Sequence, residues 1–216
     1  MRSSKSARAR CAAIVAVTLW LTLPLRAQMI DRILAVVSGG LILQSDAIAA
    51  TRLRLVNVPD VPDRIQGALE QLIERRLILV EVDRYGPPEP PAAEIESGVA
   101  AVIGRVAAGD TVEAIFRATG YSNEQLRLYV RDDLRIRTYL QQRFGASLVP
   151  SEEEVAQYYR THESAFTAAG VVRPYLEVRD AAREALVAER RANLLRDWIA
   201  GLRRRADVNV LYISIR

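Results

Sequence analysis

The sequence predicts a mostly α-helical protein with one small β-sheet, and three observations lead to that class. Strand-like apolar runs occur only near the two ends of the mature chain, at Ile30–Val37 with Leu41–Gln44 and at Val208–Ile215. Between them, apolar residues keep helical spacing, with capping residues and helix breakers at the limits of each segment. A lone hairpin is marginal in water and needs another strand. We therefore expect the C-terminal strand to join the N-terminal hairpin in one sheet, with the helices as the body.

The first 27 residues have the pattern of a secretory signal peptide. Basic residues precede an apolar stretch, Cys11–Leu25, that is short for a membrane span, and Ala27 suits the last position before cleavage. Leu25 stands where a small residue is preferred, so an uncleaved inner-membrane anchor is the alternative. We expect a periplasmic protein.

Removal of the leader changes the charge and the cysteine content. The whole chain has 30 Lys and Arg against 26 Asp and Glu, a formal net charge of +4. Five basic residues and no acidic ones lie in the leader, so the remainder has 25 basic and 26 acidic residues. This balance gives no reason to expect a nucleic-acid partner. The one Cys, Cys11, leaves with the leader, so no disulfide is expected and the domain depends on its core.

Residues 28–216 are expected to form a single domain, in which 28–166 is a helical module that 174–216 completes. The hairpin is expected to turn at Ser38-Gly39-Gly40, because glycine takes positive φ freely. Ser45 or Asp46 then reads as the N-cap of the first helix.

Seven helices are expected between the strands. Asp110, Ser122 and Ser151 each stand three residues before Glu or Gln, which is the capping-box spacing. Pro87–Pro91 is expected to be an extended spacer, with a proline-ligand role as the alternative. The expected helices are Asp46–Val56, Pro62–Tyr85, Ala92–Ala107, Asp110–Thr119, Ser122–Phe144, Ser151–Phe166 and Pro174–Arg205.

Residues with catalytic or metal-binding chemistry form no recognisable constellation. His162 is spaced to share a helix face with Val155, Tyr159 and Phe166, which predicts a hydrogen-bonded structural histidine. A single His without Cys does not make a usual zinc site. The adjacent carboxylates at 132–133 and 152–154 are explained by solvation and helix capping, since neighbouring helical residues point about 100° apart. We therefore expect no enzyme activity, no metal and no cofactor.

A binding surface is the remaining functional interpretation. The helices Asp110–Thr119 and Ser122–Phe144 are flanked by glycines and suit the walls of an open apolar groove for an extended peptide. Packing in the core is the competing interpretation of each candidate side chain. The candidate peptide-binding residues are Phe116, Tyr121, Leu128 and Tyr129.

Several segments, taken in order, resemble SurA-like periplasmic chaperones. In that family an N-terminal helical module and a C-terminal helix and strand fold together into a chaperone core, which agrees with the sheet expected above. The family often carries parvulin-type prolyl isomerase domains as well, and the short link between Phe166 and Pro174 has no room for one. The matching segments are 30–46, 69–79 with Gly86, 120–131, 150–159 and 198–212.

The resemblance implies an ATP-independent chaperone that binds unfolded segments of exported outer-membrane proteins through an apolar groove. Two alternatives stay open: a prolyl isomerase, and a non-catalytic envelope assembly partner held at the inner membrane. A homodimer that exchanges the C-terminal strand is also conceivable, because that strand comes from far along the chain.

Overall fold

The computed structural model describes residues 31–58, 62–168 and 170–213. The predicted signal peptide, Pro59 and the last two residues of the predicted C-terminal strand lie outside these ranges. The strands are β1 (Ile33–Val37), β2 (Gly40–Leu43), β3 (Thr167–Ala168), β4 (Val171–Val172) and β5 (Val208–Val210). The helices are α1 (Gln44–Arg52), α2 (Arg64–Tyr85), α3 (Ala92–Ile103), α4 (Val112–Thr119), α5 (Asn123–Phe144), α6 (Glu152–Thr161) and α7 (Tyr175–Arg205).

The N-terminal hairpin and the C-terminal strand form one antiparallel sheet in the order β2-β1-β5. Val37 is the partner of Gly40 on one side and of Val208 on the other. Pairing continues past β5, where the N–H of Leu211 donates to the carbonyl oxygen of Leu34 at 2.8 Å. The predicted fold class, mostly helical with a sheet built from both ends of the domain, is confirmed.

The hairpin turns at Ser38 and Gly39, with φ of 48° and 80°. Gly40 is already the first residue of β2, so the prediction that both glycines supply positive φ is wrong. Gly40 has a different reason to lack a side chain, because a Cβ there would lie 2.5 Å from Nε and Nη2 of Arg76. An arginine of α2 therefore packs against the backbone of the hairpin.

Helix α1 begins at Gln44 with Leu43 as its N-cap, so the prediction of a Ser45 or Asp46 N-cap is wrong. Strand and helix are contiguous, and Asp46 instead accepts a hydrogen bond from the N–H of Leu43 at 2.9 Å. The helix ends at Arg52 in a Schellman arrangement, in which the N–H of Leu55 donates to the carbonyl oxygen of Ala50 at 2.8 Å.

Helix α2 is the central helix of the fold. It packs against the sheet, α1, α5 and α7. Asp63 caps it by accepting from the N–H of Gln66 at 3.0 Å, and Gly86 ends it in the left-handed conformation, φ 57°. Its buried residues are Ala68, Leu69, Ile73, Leu77, Leu79 and Val82.

The proline-rich segment after α2 runs along α5. Pro87 is buried. The Glu89 carboxylate lies 3.6 Å from Nε of Arg135 and 3.9 Å from Nε of Arg131. Helix α3 then crosses α5 closely at Gly98, where a Cβ would lie 2.5 Å from Cγ1 of Val130. A glycine inside this helix lowers its intrinsic stability and permits the close crossing.

The next two helices differ in how well their starts were predicted. Helix α4 is capped by Thr111, so the predicted Asp110 cap is wrong. Asp110 accepts from Nε of Arg52 at 2.9 Å, which joins the start of α4 to the end of α1 and lowers the pKa of the Asp110 carboxyl. Helix α5 has the predicted capping box, with Ser122 and Gln125 each accepting a backbone N–H of the other.

Helix α6 has the predicted Ser151–Glu154 capping box but ends at Thr161, five residues before the predicted end. His162 lies after the helix with its side chain 42% exposed, so its placement on a core-facing helical side is wrong. The His162 ring is hydrogen-bonded, as predicted, because Nδ1 lies 3.0 Å from the carbonyl oxygen of Tyr158. Strands β3 and β4 pair with each other in the segment expected to be a loose link.

Three apolar clusters hold these elements together. One joins the sheet, α2 and the end of α7, through residues such as Leu34, Ile73 and Leu202. A second joins α1, α3, α4 and α5 around Leu53 and Leu126. The third lies between α2 and α5, with Trp198 of α7 packed against it. The second half of α7 thus completes a core that begins with the hairpin.

Candidate functional site

A cleft of about 400 Å³ opens between α2 and α5. The hairpin, α1 and the segment that follows α1 supply its remaining wall. We call this site the α2–α5 cleft. Its lining residues are Ile42, Asp46, Ala50, Leu55, Leu72, Arg75, Arg76, Leu79, Tyr121, Gln125, Leu128, Tyr129 and Asp132.

The two helices present their side chains to the cleft with the same spacing. On α2 the lining residues are 72, 75, 76 and 79, and on α5 they are 125, 128, 129 and 132. Residues three and four apart share one face of a helix, so each helix contributes one stripe. Each stripe mixes apolar and polar side chains, which gives the cleft an amphipathic lining.

Tyr129 is fixed by three contacts. Its hydroxyl donates to the carbonyl oxygen of Leu55 at 2.9 Å, and its own carbonyl oxygen accepts from Nη2 of Arg75 at 2.7 Å. The Arg75 guanidinium carbon lies 3.6 Å from the centre of the Tyr129 ring, within cation–π distance. Burial raises the pKa of the Tyr129 hydroxyl, so this side chain stays neutral and forms a firm wall.

Leu128 is the most accessible residue of the predicted set, whereas Tyr121 is half-buried. Leu128 is 42% exposed, although it is a large apolar side chain. The Tyr121 hydroxyl lies 3.4 Å from the carbonyl oxygen of Gln125, and burial raises its pKa. Phe116 does not line the cleft; it packs against the cluster around Leu126, with its ring centre 6.1 Å from that of Tyr121. Three of the four predicted residues therefore meet in the cleft, and peptide binding by them stays a prediction.

The charged residues of the cleft were not predicted, and they differ in their partners. Arg75 also pairs with Asp133 at 3.3 Å. Asp132 pairs with Arg131 at 2.8 Å, and Asp46 caps α1, with burial raising the pKa of its carboxyl. Arg76 makes no hydrogen bond or ion pair with any residue the structure describes, and its Nε is buried.

A second pocket of about 350 Å³ lies between the end of α5 and α7. It contains none of the predicted binding residues and is more apolar than the α2–α5 cleft. Its lining residues are Arg137, Leu140, Gln141, Phe144, Leu148, Arg191, Leu194 and Leu195.

Within residues 31–58, 62–168 and 170–213, no three His, Cys, Asp or Glu side chains cluster as metal ligands. In the same ranges, no helix has both the length and the apolar character to cross a bilayer. Among the described residues, the cleft presents apolar side chains, hydrogen-bonding groups and the unpaired guanidinium of Arg76.

Comparison with known proteins gives a structural likeness. No protein-family model matches the sequence, and no curated protein matches it significantly. The structure is similar to a solved chain from Campylobacter jejuni, from work on the virulence factor PEB4 and the periplasmic protein Cj1289, described as two structurally related SurA-like chaperones. The match has a TM-score of 0.50 and 15% sequence identity, and it covers 84% of this chain and 99% of that chain. The chain therefore has the fold of the SurA-like chaperones.

Proposed function

We propose that this protein is an ATP-independent, chaperone-like protein that binds unfolded exported polypeptides in the α2–α5 cleft. The observation that carries the proposal is the exposure of Leu128 beside Tyr121 and Tyr129 in an open cleft between two helices. Large apolar side chains that line a concave surface favour burial of apolar groups from another molecule. The fold of the SurA-like chaperones supports the same function.

The size of the cleft limits what it binds. A volume of about 400 Å³ accommodates one or two large side chains of an extended segment rather than a folded domain. Burial contributes about 25 cal/mol per Å² of apolar surface, so each engaged side chain adds only a few kcal/mol. Binding of this kind is reversible without nucleotide hydrolysis, which suits capture and release of unfolded chains.

We further propose that the protein works in the periplasm on unfolded outer-membrane proteins, without catalysing a reaction. The signal-peptide pattern of the first 27 residues supports export, and Cj1289 is itself described as a periplasmic protein. A protease-coupled proline-peptide assay tests the absence of catalysis: measurable acceleration would favour the prolyl isomerase alternative. An inner-membrane anchor predicts that the leader is retained, which sequencing of the purified N-terminus decides.

The main test is suppression of aggregation of an unfolded β-barrel protein diluted from urea, followed by light scattering. The wild-type protein in stoichiometric excess should suppress scattering. Leu128→Gln removes one exposed apolar side chain from the cleft and should weaken client affinity about tenfold, since a buried leucine contributes about 1.5 kcal/mol or more. Leu176→Gln is the matched control, because Leu176 is 85% exposed on α7 and does not line the cleft.

The outcomes of this test separate the possibilities. No suppression by the wild-type protein would contradict the chaperone-like function. Suppression that Leu176→Gln abolishes and Leu128→Gln leaves intact would place client binding elsewhere on the surface.

A further inference from the structure

One cation of the α2–α5 cleft is without a counter-charge among the described residues. Arg76 lines the cleft, and no described residue makes a hydrogen bond or an ion pair with it. Its Nε is fully buried and unpartnered, while Nη1 and Nη2 are not among the buried unpartnered atoms and so keep contact with solvent. Nε is enclosed by the protein, so a ligand can accept hydrogen bonds only from the two Nη groups, which are free to donate.

Packing, rather than charge, holds this guanidinium in place. A Cβ on Gly40 would lie 2.5 Å from Nε and Nη2 of Arg76 and 2.7 Å from its Cζ. The planar group therefore lies against the backbone at the start of β2, in space that any other residue at position 40 would fill. A side chain held by packing loses little conformational freedom when it binds a ligand.

The other charges of the cleft are already compensated. Asp132 pairs with Arg131 at 2.8 Å and Arg135 at 3.7 Å, and the Asp46 carboxylate accepts from the backbone of Leu43. Arg75 is bonded to Asp133 and to the carbonyl oxygen of Tyr129. The formal charges of the lining residues balance, yet Arg76 is the one without a local partner among those described. The cleft therefore favours binding of an anionic group next to Arg76.

We propose that the α2–α5 cleft selects segments of unfolded chains in which a carboxylate adjoins a large apolar side chain. This inference rests on the proposed function and names the kind of segment that the cleft prefers. The apolar side chain packs between Leu72 and Leu128, and the carboxylate accepts from the Nη atoms of Arg76. A guanidinium–carboxylate contact is charge-assisted and directional, and it is stronger in a partly desolvated cleft than in water. The carboxylate is either an Asp or Glu side chain or the C-terminus of the bound chain.

The test uses the protein in the form isolated from cells, with or without its leader. Three dansylated hexapeptides that share one leucine-containing sequence serve as ligands. The first ends in a free carboxylate next to the leucine, the second is its C-terminal amide, and the third is an amide with Asp beside the leucine. Fluorescence anisotropy at constant ionic strength gives the affinities. At least one of the two peptides that carry a carboxylate should bind about tenfold more tightly than the neutral amide. This is the gain expected for a hydrogen bond between charged groups.

Three variants test whether Arg76 is responsible for the preference for a carboxylate. Arg76→Gln should bind the neutral amide as the wild type does and lose the preference for carboxylate. Arg76→Lys keeps the charge without the forked donors and should retain a preference of about threefold, which also serves if Arg76→Gln does not fold. Arg84→Gln is the control, because Arg84 lies on the same helix, is 76% exposed and does not line the cleft. It should keep the full preference.

Each result decides between the two proposals. Improvement by the free C-terminus alone identifies chain ends as the ligand, and improvement by both acidic peptides identifies any carboxylate beside an apolar residue; both support the inference. Equal binding of all three peptides overturns the inference and leaves the proposed function standing. A preference that survives Arg76→Gln, or that Arg84→Gln also removes, overturns the role of Arg76. No binding of any peptide contradicts the proposed function as well.

Discussion

Two regions of the molecule differ in how much apolar core they contain. The body (residues 31–58, 62–144 and 191–213) contains all three apolar clusters. The arm (residues 151–168 and 170–190) buries Val155, Val178 and Ala182 between α6 and α7. Around them the arm relies on ion pairs, in which Glu152 binds Arg179 and Arg183, and Glu154 binds Arg190. One helix, α7, runs through both regions.

Because of this difference, the stability of the arm should depend on pH and salt more than that of the body. Apolar burial in the body is little affected by pH or salt near room temperature, whereas exposed ion pairs are screened by salt and lost on protonation. Large-to-small substitutions in a core also lower the free energy of unfolding strongly, because the cavity removes many contacts at once. We therefore expect the arm to open locally while the body stays folded.

The largest expected effect comes from a cavity in the body. Ile73 is fully buried in the cluster that joins the sheet, α2 and α7, so Ile73→Ala should lower the free energy of unfolding by about 3–4 kcal/mol. Val155 is fully buried in the arm, and Val155→Ala should cost about 2 kcal/mol, mainly in the stability of the arm. Urea unfolding followed by far-UV circular dichroism measures the first effect, and hydrogen exchange of α6 amides measures the second. Equal global destabilisation by both variants would show that arm and body unfold as one unit.

A smaller effect is expected where α3 crosses α5. Gly98→Ala places a methyl group 2.5 Å from Cγ1 of Val130 and should destabilise the body by about 1–3 kcal/mol, because the crossing must widen. Gly104→Ala is the matched control at the C-cap of the same helix: its nearest neighbour is a backbone oxygen at 3.5 Å, and its right-handed backbone suits alanine, which should stabilise the fold by about 0.4–1 kcal/mol. Thermal unfolding of both variants checks the opposite signs. A stabilised Gly98→Ala variant would mean that the close approach is not needed.

The smallest expected effect is on the arm at low pH. Hydrogen bonds from Arg179 and then Arg183 lower the pKa of Glu152 to about 2, from an ordinary value of 4.5. A carboxyl whose pKa is lowered by folding stabilises the fold fully above its unfolded value, and this contribution is lost as the pH falls from about 4.5 towards 2. Glu152→Gln should therefore lower the melting temperature slightly at pH 7 and by much less at pH 2, where the carboxyl of the folded protein is about half protonated. A difference of the same size at both pH values would contradict the assignment to ionisation.

Parts of the fold that depend on local side-chain chemistry could be predicted. The capping boxes at Ser122 and Ser151 and the left-handed glycines Gly86 and Gly120 mark their helix ends as expected. The end of α1 was missed because Arg54, with φ of 53°, takes the left-handed position that the sequence rule reserves for glycine. The preceding residue, Leu53, is fully buried in the cluster around Leu126, a long-range contact that periodicity does not reveal.

The cleft could be predicted in part, for a similar reason. Leu128 and Tyr129 lie on α5 and Tyr121 lies just before its N-cap, so one short segment brings the three together. Arg75 and Arg76 were missed because adjacent arginines on a helix usually indicate a solvated face. The pairing of Arg75 with Tyr129, and the space that Gly40 leaves for Arg76, depend on contacts between distant segments.

The pairing of β1 with β5 affects the order in which parts of the protein fold. The carbonyl oxygen of Leu34 accepts hydrogen bonds from the N–H groups of Leu211 and Tyr212, which follow helices α1 to α7 in the sequence. Until they arrive, β1 has an open edge and Val37 lacks the contact with Val208. Helices α2 to α5 form from local sequence, but closure of a loop of this length is slow. The β2-β1-β5 sheet is therefore expected to be completed later than the helices.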